Sequence, residues 1–343
     1  MNLLGRKWPF FGSSKPEPVP LTFRVCGKLP VIGDYCWWPG PKPTAGAAGR
    51  FVAWIHEGWE AIRDLERPPS VIAHRLWCSW GGPGGQVAAV LWQSRDGGTT
   101  PRAFPFACYA TGVDVSTTPD WPARLGAMLS LWGRIELSRR SLADMKHESL
   151  LDSLCHEGHN MLTLEMPGES SSTLSRQAAT IPLRDFAAAV GPGSDEGAIR
   201  RWLASLPGRV RQWSAQNSAQ TQLAIRCPLS RQWPLPGQAV SWIEWLTAAM
   251  PAGSRPAAVL LSTDDEEDEC APWSSPGVTV CFRELKDVDL MLLTTSALDY
   301  AYLRTIPYEA PAEGPDDPAP PPSGETGPTP LNLDVSLWEW ARS

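Results

Sequence analysis

The sequence predicts an α/β protein, a layered sandwich in which helices flank a mixed β-sheet, followed by a disordered proline-rich C-terminal tail. Three observations predict it. Short apolar runs of strand length alternate with amphipathic stretches of helical period through most of the chain. The alternation continues without an evident linker and without a repeat of fixed period, so one sheet shared by both halves is expected rather than two domains. Past Pro307 the composition turns abruptly to proline and acid.

The elements follow in order. LTFRVCGKL (21–29) alternates as a strand, and residues 27–34 form a turn. PGPKPTAGAAG (39–49) is a breaker-rich connector. In residues 50–66, Phe51, Trp54, Ile55, Trp59 and Ile62 recur at helical spacing, and Pro68 and Pro69 stop the helix. VIAHRLWCSW (71–80) and QVAAVLWQS (86–94), split by GGPGG, read as a hairpin, and FPFACYA supplies a third strand. Helices are expected over 121–137 and 141–155, then at LRDFAAAV and EGAIRRWLASL. TQLAIRC (221–227) is a strand and residues 237–250 an amphipathic helix. PAAVLLST (256–263) and VTVCFREL (278–285) are strands, the first buried on both faces, and residues 286–295 fit either state.

This divides the chain into a flexible segment 1–19, a body 20–307, a disordered acidic linker 308–330 and an amphipathic segment 331–343. In the last, Leu333, Leu337 and Trp340 recur at about helical spacing. Two readings stand: a docking peptide behind a stiff linker, or a segment that folds back onto its own body.

Composition bounds the function. Of 343 residues 43% are apolar, enough for a core, and the net charge of −7 argues against nucleic acid as a partner, which needs a concentrated basic face. The eight cysteines are scattered without a CxxC and suit a reducing, cytoplasmic setting better than a disulfide framework. The N-terminus lacks the long apolar core of a signal peptide, and no stretch is long enough to insert in a membrane. Most of the 18 tryptophans are expected in the core, with some left over as interface anchors.

GKLPVIGDY (27–35) is the most informative motif. A phosphate loop needs its lysine after the second glycine; here Lys28 follows the first, and Asp34 after Gly33 would repel phosphate. The dinucleotide fingerprint GxGxxG is absent. What remains is conformational. Gly27 and Gly33 tolerate positive φ, Pro30 stiffens the bend, and Asp34 can cap it, leaving a shaped turn that presents Lys28 and Asp34. Its bland counterpart is an ordinary strand-to-helix turn.

This motif resembles the GKxPxxGDF signature near the N-terminus of the TagF family, also called ImpM, of type VI secretion-associated proteins. Downstream, RAFPFACYA resembles the family's arginine-x-phenylalanine-proline segment, with Arg102, Phe104, Pro105 and Phe106 in place. The likeness covers roughly residues 20–165, with Tyr35 where the family usually has phenylalanine. It implies an α/β sandwich with no known enzymatic activity and no cofactor. It also implies a cytoplasmic accessory protein that acts after translation, as a repressor of apparatus assembly. The partner it implies is a forkhead-associated scaffold protein, linked to threonine phosphorylation. The residues that carry the motifs or would bind a partner are Gly27, Lys28, Pro30, Gly33, Asp34, Arg102, Phe104 and Pro105.

Other constellations rank lower. His147, Cys155, His156 and His159 are metal-ligand types, but Gly158 and Asn160 suggest that CHEGH closes a helix, where histidines suit the dipole. DDEEDE (264–269) lacks the spacing of a calcium loop and reads as a solvated run. Cys26 or Cys36 could pair with His56 or His74, yet nothing local activates a thiol, and no GxSxG elbow occurs. Two alternatives to a regulatory module stay open: a hydrolase or phosphatase-like enzyme in which Asp34, Arg102 and a histidine converge, and an adaptor working through its C-terminal peptide.

Overall fold

The chain was analysed as a computed structural model, which describes residues 21–32, 35–63, 74–80, 85–95, 103–115, 118, 120–163, 171–191, 193–216, 224–262, 276–294, 303–306 and 331–343. Of the sequence expectations, the N-terminal segment, DDEEDE with Cys270, the linker, and Gly33, Asp34 and Arg102 lie outside the described residues.

Nine strands are present among the described residues: β1 (Thr22–Gly27), β2 (Cys36–Trp38), β3 (His74–Ser79), β4 (Gln86–Arg95), β5 (Ala103–Val113), β6 (Ala224–Pro228), β7 (Ala258–Ser262), β8 (Gly277–Cys281) and β9 (Leu303–Thr305). They form one sheet in the order β2-β1-β5-β4-β3-β7-β8-β6-β9. Neighbours run antiparallel except β6 and β9, which are parallel, so the sheet is mixed. The pairing of β3 with β7, His74 opposite Ser262 through Cys78 opposite Ala258, joins the two halves of the chain in one sheet, as the unbroken alternation predicts.

The strands are apolar on both sides because both faces are covered. Leu76, Cys78, Val87, Ala89, Leu91, Ala107 and Tyr109 face one core, and Trp77, Ala88, Val90, Phe106 and Cys108 face the other. The first core is closed by α1 (Gly46–Arg63) and a 3-10 helix (Asp287–Leu293), which resolves the ambiguous stretch 286–295. The second is closed by α2 (Trp121–Ala143), α3 (Leu151–Thr163), α4 (Ser171–Ala179), α5 (Leu183–Val190), α6 (Glu196–Gln216), α7 (Leu235–Ala249) and α8 (Leu337–Ala341). No helix of the described residues is long and apolar enough to cross a membrane.

The helix α1 is stapled to the 3-10 helix. Trp54 Nε1 donates to Lys286 O at 2.9 Å, and Trp80 Nε1 from the end of β3 donates to Leu285 O at 3.3 Å. Gly58 lets the two backbones touch: a Cβ there would stand 2.6 Å from Asp287 O and 2.8 Å from Leu290 Cβ. Gly58→Ala should therefore destabilise the fold by about 1–3 kcal/mol, despite alanine's better helix propensity, as a shift in the denaturant midpoint. Beneath this contact Asp289, 1% exposed, takes both arms of Arg283 at 2.5 and 2.6 Å and the Lys286 amide at 2.6 Å.

Several boundaries depart from expectation. α1 starts at Gly46, inside the supposed connector. β2 and α4 have no counterpart in the sequence reading; β2 is three residues long and sits amid glycine and proline. α2 runs to Ala143, carried on by Glu136 reaching Arg139 at 2.7 Å and Arg140 at 3.5 Å one turn on. The expected helix 141–155 is thus split between α2 and α3. CHEGH lies in the middle of α3, not at its end, because Gly158 is there for close approach. A Cβ would stand 2.8 Å from the Phe23 ring and 2.9 Å from Ser138 Oγ. Cys155 is buried and His156 exposed, and no described group of three or more His, Cys, Asp or Glu could hold a metal ion.

Of the tryptophans, eleven are buried and five half-buried among the described residues, so the core claims most of them. Several of their indole N–H groups find acceptors: Trp132 donates to Leu76 O at 3.0 Å, Trp242 to Pro228 O at 2.9 Å and Trp77 to Gln86 Oε1 at 3.2 Å.

The C-terminal segment folds back on its own body. Leu333, Leu337, Trp340 and Ala341 are buried. The Trp340 ring stacks on Trp245 at 5.3 Å and meets Trp242 edge-on at 5.5 Å, both on α7. The apolar face that could have docked elsewhere is thereby used at home.

Candidate functional site

The two motif segments meet at one corner of the molecule. β1 and β5 pair with Cys26 opposite Ala107, which carries Gly27 onto Pro105 and Phe106. Gly27 has φ +128°, and a Cβ there would stand 2.6 Å from Pro105 O. The chain then turns, with the Ile32 amide donating to Leu29 O at 3.0 Å, and returns as β2, where Cys36 pairs with Gly27. The bend therefore links two strands, not a strand and a helix. Leu29 and Ile32 are buried and hold it down, while Pro30 is exposed.

The fate of the expected binding residues follows. Gly27, Phe104 and Pro105 are buried, so none of them offers a surface to a partner; they build the corner from beneath. For Gly27 the cause is plain: its positive φ and the close approach of Pro105 O leave no room for a side chain. Lys28 and Pro30 reach the surface. Gly33, Asp34 and Arg102 lie outside the described residues.

The corner's outer layer combines Lys28, which the motif reading selected, with Tyr35, Trp37, His56 and Lys42, which its set of binding residues omits. Tyr35 stacks on Trp37 with centroids 5.1 Å apart and planes 9° from parallel. It also meets His56 of α1 at 5.4 Å and the edge of Phe104 at 6.0 Å. Lys28 Nζ lies 4.5 Å from the Phe104 centroid and 5.6 Å from that of Tyr35, and Lys42 Nζ lies 5.5 Å from that of Trp37. Tyr35, Trp37 and His56 are half-buried and Lys42 is exposed, so the stack and its ammonium groups are accessible together. Beneath them Trp59 supports Phe104 at 6.2 Å. The available signals were the aromatic run YCWW after the motif and His56 on the same helix turn as Trp59, but three-residue β2 gave no periodicity to aim them.

Burial pushes the Tyr35 phenol up to about 12, with Cys26 and Glu60 adding to the effect and Arg63 opposing it, so the hydroxyl stays protonated and serves as donor and acceptor. Burial also holds the Cys26 thiol well above its usual range, and burial with Asp152 and Glu148 pushes that of Cys36 up to about 12. Both thiols stay protonated at neutral pH, which removes them as nucleophiles. His74 is buried on β3 opposite Ser262. What the corner can do chemically is bind: aromatic faces, two ammonium groups and a protonated phenol on a fixed platform.

No protein-family model and no curated protein matches the chain. Among solved structures, a crystal structure of PA0076 from Pseudomonas aeruginosa PAO1 is similar, with 18% identity and a TM-score of 0.32 over 43% of this chain. The match spans 64% of that protein, and a likeness this loose carries no argument about either fold or function.

Proposed function

We propose that the protein is a non-enzymatic accessory factor that works by gripping another polypeptide through the Lys28–Tyr35–Trp37–Lys42 corner. The resemblance of its two motifs to those of the TagF family makes the cytoplasmic, forkhead-associated scaffold of a type VI secretion apparatus the proposed partner. Occupancy of that scaffold would restrain assembly. The observation that supports this reading is the convergence of both motif segments under one accessible aromatic and cationic surface. Tyr and Trp are among the residue types that dominate binding energy at protein interfaces, and the two ammonium groups hold the aromatic faces by cation–π contact.

The test is co-purification of tagged protein from cells that carry the secretion cluster. Lys28→Glu with Lys42→Glu should lower scaffold capture at least tenfold, while circular dichroism and the melting temperature stay those of the parent. Because Lys28 is half-buried, Lys42→Glu alone serves as the fold-neutral arm and should give a smaller loss in the same direction. Undiminished capture by the folded double variant would overturn the reading.

A further inference from the structure

The manner in which the C-terminal segment is seated is that of a bound peptide. Its first half runs extended along the α4–α5 junction. Pro182 and Ser336 form an antiparallel bridge, the Leu183 amide donates to Val335 O at 3.1 Å, and the Leu337 amide donates to Ile181 O at 2.8 Å. Arg184 reaches Asp334 at 3.0 Å, and Arg200 donates to Leu331 O. The second half then coils into α8, opened by Ser336 and Glu339 capping each other's main chain, and lowers Leu337 and Trp340 onto α4 and α7. Strand-like main-chain bonds followed by an apolar helical anchor combine two recurring modes of peptide recognition.

Two independent features set this segment apart from ordinary core. It is joined to the body by the 24 residues 307–330, rich in proline and acid and almost without apolar side chains. Its seating also forms a surface cleft of about 480 Å³, walled by Thr180, Pro182, Arg184 and Asp185 on the body and by Asp334 and Glu339 on the segment.

We infer that the groove of α4, α5 and α7 is a peptide-recognition site, held in the resting protein by the chain's own C-terminus and open to an external segment of the same design. The occupant it fits is an extended stretch with an acidic residue placed as Asp334, leading into a short helical turn with apolar anchors spaced as Leu333, Leu337 and Trp340. A tether of 24 residues keeps the resident segment at a high effective concentration beside its groove. An external segment therefore displaces the resident one only if it is tighter. This site is separate from the corner proposed above and does not depend on it.

The test uses the full chain with a protease recognition sequence substituted into residues 318–324. The probe is a fluorescein-labelled peptide of residues 331–343. Before cleavage the probe should be taken up weakly; after cleavage uptake at the same concentration should rise at least tenfold. A probe carrying Trp340→Ala should lose at least tenfold in affinity. Retention of the cut segment against a hundredfold excess of probe would make it a fixed part of the core and overturn the inference. Loss of the native circular dichroism spectrum once the segment leaves would do the same.

Discussion

Gly27→Ala is expected to destabilise the protein by roughly 2–5 kcal/mol, seen as a fall in the urea unfolding midpoint. Two costs combine. The residue sits at φ +128°, where a side chain is strained, and its Cβ would stand 2.6 Å from Pro105 O and 2.8 Å from Phe106 Cα. Both obstacles are backbone of a fully paired strand, β5, so neither can swing aside. The change also attacks the corner from below, because β2 pairs with β1 through Gly27 itself. Gly27→Ala should therefore lower partner capture in proportion to its loss of folded protein, whereas Lys42→Glu lowers capture without touching stability. An unchanged midpoint for Gly27→Ala would show that the strand contact gives way more easily than its geometry implies.

Asp289→Ala is expected to cost about 3–5 kcal/mol. The aspartate is 1% exposed and holds Arg283 with both oxygens, while one oxygen also takes the Lys286 amide. Its removal leaves the Arg283 guanidinium without its carboxylate in a mostly dry site, and frees a main-chain N–H that starts the 3-10 helix. Adding Arg283→Met removes the stranded charge, so the double variant should be more stable than Asp289→Ala alone. Additive losses would mean that the two side chains act separately, against the bidentate geometry.

The sequence made the long, strongly periodic parts of this fold legible. α1 and α7 carry clear apolar faces, β4 and β8 read as strands, and β7 reads as buried on both faces because such burial writes itself directly into composition. Elements defined by tertiary contact were not legible. β2 exists only because Gly27 brings β1 and the returning chain together, and three residues cannot display a period. Gly158 looks like a helix terminator in the linear chain and is instead the point where α3 presses on Phe23. The motif at residues 27–35 was found, and Lys28 reaches the surface as read, but the sequence did not separate the residues that build the corner from those that face outward. The glycine and the FP pair lie beneath the surface, and Tyr35, Trp37, Lys42 and His56 form it. A bend signals that something is being shaped without saying which side faces outward.

The β3–β7 seam limits how this molecule can be taken apart. The likeness on which the proposed function draws ends near residue 165, which invites expression of that stretch by itself. Such a fragment would bare the flank of β3 along five residues that β7 normally occupies, with apolar side chains above and below. An open flank of that kind recruits copies of itself, so the fragment is destined for inclusion bodies, and mapping by deletion would report insolubility in place of lost recognition. Point changes in the whole chain are the only clean instrument this architecture permits.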